Sequence, residues 1–199
     1  MTLSQITPTS IEVNGRNYAW PKQPLVVVCI DGSEPDYIEQ ANAGGHMPFL
    51  TKALETGSDF RADCVVPSFT NPNNLSIVTG RPPRVHGISG NFFLDPDSGE
   101  EVMMNDPKLL RADTIFKAFH DAGAKIVVVT AKDKLRRLLG HGLDFSSGRA
   151  VSFSSEKADE TTMAENGIDD AQAMVGRDIP DVYSAELSEY IFDAGVKLM

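Results

Sequence analysis

The chain has 199 residues, 41% hydrophobic and 23% charged, which suits a globular domain with a substantial core. Its formal net charge of −10 disfavours nucleic-acid phosphates and anionic membrane surfaces as partners. The charge does not exclude a small anionic substrate, because a local cluster of metal ions and lysines overrides the global sign.

Residues 1–17 are polar and lack the basic and apolar segments of a secretory leader, and no apolar run reaches bilayer length. Residues 11–20 alternate apolar and polar side chains around Asn14-Gly15, a pair suited to a tight hairpin. The run Leu25-Val26-Val27-Val28-Cys29-Ile30 is short and β-branched and stops at Asp31-Gly32, as a fully buried parallel strand does. Helices are expected over 34–43, ending at Gly44-Gly45, and over 48–56, ending at Gly57. A strand is expected over 60–66, then a helix over 72–79 with proline in its first turn and Gly80 as its stop. Residues 91–104 read as a hairpin around Asp97-Ser98-Gly99. Asp113 is expected to cap a helix that ends at Gly123, and 125–129 to form another buried strand. Residues 152–162 are polar and are assigned to surface structure. Over 183–198, Leu187, Tyr190, Ile191, Ala194 and Leu198 share one helical face. Cys29 and Cys64 lie in apolar runs and are expected to be buried thiols, which points to a reducing compartment and a cytoplasmic location.

Strands alternating with helices predict an α/β fold, with a mainly parallel central sheet covered by helices on both faces. The last helix reaches Met199 without a stop signal, and a crossover helix normally delivers the chain to another parallel strand. Residues 1–199 are therefore expected to be the N-terminal portion of a single domain that is incomplete at its C-terminus.

Asp31 follows a buried strand, where α/β proteins build their sites, and is either a ligand for a divalent metal or a solvated turn residue. Thr70 stands at the mouth of a helix, where free N–H groups favour anions, and is either a nucleophile or part of a cap. Asn91 ends a glycine- and proline-rich loop and offers an amide donor. Lys132 and Lys134 follow a strand and either hold a substrate anion or stand solvated on a first helical turn. His46, His86, His120 and His141 have no metal-ligand spacing, and His86 is read as structural. The common nucleotide-binding, metalloprotease and serine-hydrolase motifs are absent.

Together these motifs resemble the alkaline phosphatase superfamily. More narrowly they resemble the branch of nucleotide pyrophosphatase/phosphodiesterases and phosphonoacetate hydrolases, through Thr70 and the block Thr79-Gly80-Arg81-Pro82-Pro83-Arg84-Val85-His86-Gly87-Ile88-Ser89-Gly90-Asn91. The phosphonoacetate hydrolases are resembled through Val13-Asn14-Gly15-Arg16, Trp20-Pro21-Lys22, the stretch from Cys29 to Tyr37, Ala131-Lys132-Asp133-Lys134-Leu135-Arg136, the stretch from Phe153 to Ala158, and Tyr183-Ser184-Ala185-Glu186-Leu187-Ser188. The resemblance implies two zinc ions and hydrolysis of the carbon–phosphorus bond of phosphonoacetate to acetate and phosphate through a phosphothreonine. It assigns Asp31 and Thr70 as metal ligands, Thr70 as nucleophile, Asn91 to the phosphonyl oxygens, and Lys132 and Lys134 to the substrate carboxylate. The remaining zinc ligands are expected beyond residue 199. The implied partner is a small-molecule phosphonate, with a homodimer as the assembly considered. Two rival readings are a phosphodiesterase or nucleotide pyrophosphatase, which does not need the lysine pair, and an inactive fragment that lacks the C-terminal ligands.

Overall fold

The computed structural model describes residues 8–199; residues 1–7, part of the polar N-terminal stretch, lie outside the described residues. Two compact units are present, one formed by the described residues up to Trp20 together with Val65–Met199, the other by Pro21–Cys64.

The first unit opens with the expected hairpin. Strand β1 (Ser10–Val13) pairs antiparallel with β2 (Arg16–Ala19), with Ser10 opposite Ala19 and Val13 opposite Arg16. Asn14 and Gly15 both take positive φ at the turn, the conformation for which an Asn-Gly pair is suited.

The second unit holds helices α1 (Pro35–Ala43) and α2 (Pro48–Thr56), each with proline in its first turn and glycine after its last residue. The two strands expected in and beside this unit do not form. Residues 25–30 and 60–66 carry no ladder partner among the described residues. Leu25 to Val28 and Ile30 are 54–76% exposed. A β-branched run favours extended backbone, but a strand also needs a neighbouring edge to supply its hydrogen bonds. The same placement exposes Cys29 and Cys64, free thiols that were expected to be buried.

The first unit continues with α3 (Thr70–Thr79), α4 (Pro83–His86), and an antiparallel hairpin of β3 (Phe92–Leu94) with β4 (Glu101–Met103). Helix α5 (Ile115–Asp121) is capped by Thr114 rather than Asp113: the buried Thr114 Oγ1 accepts from the Lys117 N–H at 3.0 Å. Strand β5 (Ile126–Thr130) leads into α6 (Asp133–Leu139), and β6 (Ala150–Ser154) then pairs parallel with β5, with Ile126 opposite Ala150 and Thr130 opposite Ser154. Strand β6 was unexpected. Residues 152–155 were assigned to surface structure, yet Ser152, Phe153, Ser154 and Ser155 are all buried. Serine is small enough to be covered without a large cavity, so its polarity concealed a core strand. Helices α7 (Met163–Asn166), α8 (Ala171–Val175) and α9 (Glu186–Leu198) complete the unit.

The β5–β6 pair is clothed on both faces. Ile126 and Val128 join a cluster with Leu75 and Val78 of α3 and Leu138 and Leu139 of α6. Val129, Val151 and Phe153 face a second cluster with Ala171 and Val175 of α8 and Tyr190 and Ala194 of α9. The expected face of α9 is the buried one. Lys197 fastens α9 to the end of α8 by donating to the carbonyls of Met174 and Val175 at 3.1 and 2.6 Å.

The hairpin β1–β2 secures the C-terminal end of α3. Asn14 Nδ2 donates to the carbonyls of Thr79 and Asp113 at 2.9 and 2.8 Å, and the Arg81 guanidinium donates to the Asn14 carbonyl. Gly80 ends the helix at φ 63°, and a Cβ there would meet the Tyr18 hydroxyl. Gly80→Ala is therefore expected to cost about 1–3 kcal/mol, from positive φ and the displaced hairpin. The measurement is chemical denaturation, and an unchanged midpoint would show that this close approach does not exist in solution.

Candidate active site

Thr70 is the first residue of α3 and is half-buried. Three asparagines hold the turn it opens. Asn74 Nδ2 donates to the Thr70 carbonyl at 3.0 Å, and Asn73 Oδ1 accepts from the Val65 N–H at 2.9 Å. The buried Asn71 donates through Nδ2 to the Met104 carbonyl at 3.2 Å. The Met104 N–H donates in turn to the Asn91 carbonyl at 2.8 Å. Met104 thus ties the first turn of α3 to the half-buried Asn91, and two sites read separately from the sequence meet through one backbone residue. The N-cap, Phe69, supplies no side-chain cap to the free N–H groups of this helix.

His86 is fully buried in α4, and both of its ring nitrogens are engaged. Nδ1 accepts from the Ile88 N–H at 3.2 Å, so the ring proton resides on Nε2, 2.9 Å from Ser76 Oγ. Burial pushes its pKa below the ordinary 6.5 and outweighs a backbone hydrogen bond that acts the other way. This histidine braces the loop between α3 and β3.

Asp31 lies in the second unit, exposed, at a turn closed by the Ser33 N–H donating to the Ile30 carbonyl. Partial desolvation, and after it the charge of Asp31, push the pKa of the neighbouring Cys29 thiol up. Asp31 and Thr70 belong to different units. Among the described residues no group of three or more His, Cys, Asp and Glu side chains is placed to hold one metal ion. Asp31 and Thr70 are hard oxygen donors suited to a divalent cation, but two donors fall short of the four that zinc normally takes.

Lys132 and Lys134 come together. They line one open pocket of about 390 Å³ with Glu156, Val182 and Tyr183. Lys132 is the N-cap of α6, and its Nζ lies 5.1 Å from the centre of the Tyr183 ring. Glu156 is drawn in by the parallel pairing: its N–H donates to the Ala131 carbonyl at 3.1 Å, and its Oε2 accepts from the Asp133 N–H at 2.8 Å. Asp133 is itself paired with Arg136 at 2.8 Å. Among the described residues neither pocket lysine has a carboxylate within ion-pair distance. Sequence reasoning passed over Glu156 and the asparagine brace. Only the density of asparagine in Thr70-Asn71-Pro72-Asn73-Asn74 offered a signal.

The overall arrangement is shared with solved enzymes. Phosphonoacetate hydrolase from Sinorhizobium meliloti 1021, solved with phosphonoacetate and with phosphonoformate, is 61% identical and superimposes with a TM-score of 0.92. The match covers 98% of this chain and 47% of that one. The fold is therefore an α/β fold of the alkaline phosphatase type. The family model for type I phosphodiesterase / nucleotide pyrophosphatase matches residues 25–185, and the chain belongs to this family. An uncharacterised pyrophosphatase/phosphodiesterase of Schizosaccharomyces pombe is 29% identical over 132 residues, 62% of this chain and 24% of that protein. Ectonucleotide pyrophosphatase/phosphodiesterase 1 of Saccharomyces cerevisiae is 38% identical over 96 residues, 44% of this chain and 12% of that protein. The chain thus spans less than half the length of the solved relatives, and the curated matches cover a quarter or less of theirs.

The lowered pKa of His86 has a consequence for stability. Unfolding releases a ring that binds protons more readily, so the folded state loses ground as pH falls through about 6.5 towards the lower folded-state value, and the loss levels off below it. Stability from chemical denaturation is expected to drop between pH 7.5 and 5.5 in the parent and to drop less in His86→Gln. Equal slopes would mean that His86 is not held neutral.

Proposed function

We propose that this chain carries the Asp31- and Thr70-bearing part of a metal-dependent hydrolase domain that cleaves the carbon–phosphorus bond of phosphonoacetate, giving acetate and phosphate. The observation that carries the reading is the pocket that Lys132 and Lys134 line together, neither of them ion-paired with a carboxylate among the described residues. A phosphodiester needs no such pair, whereas a carboxylated phosphonate does. The likeness to solved phosphonoacetate hydrolases supports the same choice.

In this mechanism Thr70 Oγ1 attacks phosphorus in line with the phosphorus–carbon bond. A phosphorus–oxygen bond forms as the phosphorus–carbon bond breaks, and the bonding electrons pass to the α-carbon and into the adjacent carboxylate. Lys132 and Lys134 face that developing charge and stabilise it more than they stabilise the bound substrate. The carbon takes up a proton to leave as acetate, and water then displaces phosphate from Thr70. The N-terminus of α3 and the Asn91 amide meet the phosphonyl oxygens. Zinc, the metal proposed, supplies positive charge that favours the ionised hydroxyl. Asp31 and Thr70 are the donors assigned to it here, with its other ligands outside the groups described.

The proposed setting is the cytoplasm, which suits two free thiols. No helix among the described residues is long and apolar enough to cross a membrane.

With zinc supplied, Lys132→Ala is expected to lower phosphonoacetate cleavage by roughly 10²–10³ and cleavage of an aryl phosphate ester by less than about tenfold. Thr70→Ala should abolish both. Equal losses on the two substrates in Lys132→Ala would favour a phosphodiesterase or pyrophosphatase, and failure of a zinc titration to register any binding would favour a non-catalytic role.

A further inference from the structure

Tyr183 is 89% exposed, so its ring gains little from burial. Its backbone is nevertheless fixed by a local turn just ahead of α9. Asp181 Oδ1 accepts from the Tyr183 N–H at 2.8 Å, and the Asp181 carbonyl accepts from the Ser184 N–H and hydroxyl at 3.0 and 2.9 Å. The ring forms one wall of the lysine pocket, with Lys132 Nζ 5.1 Å from its centre. The Lys132 backbone is anchored as well, its carbonyl accepting from Thr130 Oγ1 at 2.9 Å. With the main chain fixed at both residues, the ring and the ammonium are brought within reach of each other and the side chains remain to be ordered.

We propose that Tyr183 is a positioning residue for Lys132, with its ring face holding the ammonium where it meets the carboxylate of a small carboxylated phosphonate. This role presupposes Lys132 as the carboxylate ligand. An aromatic face does what a carboxylate partner cannot. It attracts the cation through the ring quadrupole without neutralising it and leaves N–H donors for an incoming anion. Ordering the long lysine stem before substrate arrives lowers the cost of binding. The pocket's own carboxylate, Glu156, is turned to the Asp133 N–H. Val182 and the ring edge give the pocket an apolar margin, which suits the methylene of such a substrate.

The test compares the parent with Tyr183→Phe, Tyr183→Ala and Lys132→Ala in the zinc-supplied protein. Steady-state kinetics on phosphonoacetate and on an aryl phosphate ester are measured, together with a calorimetric titration of phosphonoacetate under conditions without turnover. Because Tyr183 is exposed, its substitutions should leave the fold intact, as circular dichroism would verify. Tyr183→Ala is expected to raise KM and Kd for phosphonoacetate about two- to fivefold, with kcat and aryl ester cleavage nearly unchanged. Tyr183→Phe keeps the ring face and should match the parent. If Tyr183→Ala behaves as the parent while Lys132→Ala loses phosphonoacetate, the positioning role is overturned and the lysine reading stands. The role is also overturned if Tyr183→Phe is as impaired as Tyr183→Ala. Indifference of both substrates to Lys132→Ala, or no phosphonoacetate binding by the parent, removes the lysine reading and this role with it.

Discussion

The parallel pairing of β5 with β6 is the constraint on which the rest of the first unit depends. Five backbone pairs in register, from Ile126–Ala150 to Thr130–Ser154, bring the two strand ends level. The segments that leave them, one carrying Lys132 and Lys134 and the other Glu156, must then run side by side. The alternation of side chains sends Val128 to one core cluster and Val129 to the other, so helices are required on both faces. A slip of one residue would exchange the two faces and separate Glu156 from the N-terminus of α6. Packing and the pocket thus rest on one ladder.

A second brace acts on α3, and it is made of hydrogen bonds from side chains to the backbone. One end of the helix is held by Asn14 of the hairpin, whose carbonyl accepts from Arg81, the other by Asn71, Asn73 and Asn74. Asparagine suits both tasks because its amide donates and accepts at short reach. The conformation at Thr70 is therefore set by side chains that are neither large nor apolar, a different means from the packing that fixes β5.

Elements bounded by local chemistry were legible in the sequence. Asn14-Gly15 marked the first hairpin, Gly80 marked the end of α3, and the spacing of Leu187, Tyr190 and Ala194 marked the buried face of α9. Elements defined by a partner were not. Residues 25–30 and 152–154 show this from opposite sides: an apolar run that stays exposed and a serine-rich run that becomes core. Hydropathy reports what a segment tolerates, whereas ladder membership depends on a second segment remote in sequence. The candidate site divides in the same way. Thr70, Asn91 and the lysines could be singled out one at a time, but the Met104 bridge and the place of Glu156 follow only from pairing.

An acidic chain needs a local means of receiving an anion. Several of the cations that could compete for that task are already committed. Arg136 pairs with Asp133, Lys117 with Asp121, Lys157 with Glu160, and Arg177 with both Glu189 and Asp193. Lys197 is spent on helix carbonyls and Arg81 on the hairpin turn. Lys132 and Lys134 differ in kind, because the groups around them are a ring face and a carboxylate already engaged by a backbone N–H. Exposed ion pairs contribute little to stability and are screened by salt. Against a net charge of −10, a pocket lined by two lysines that have no ion-pair partner among the described residues offers an anion a local foothold.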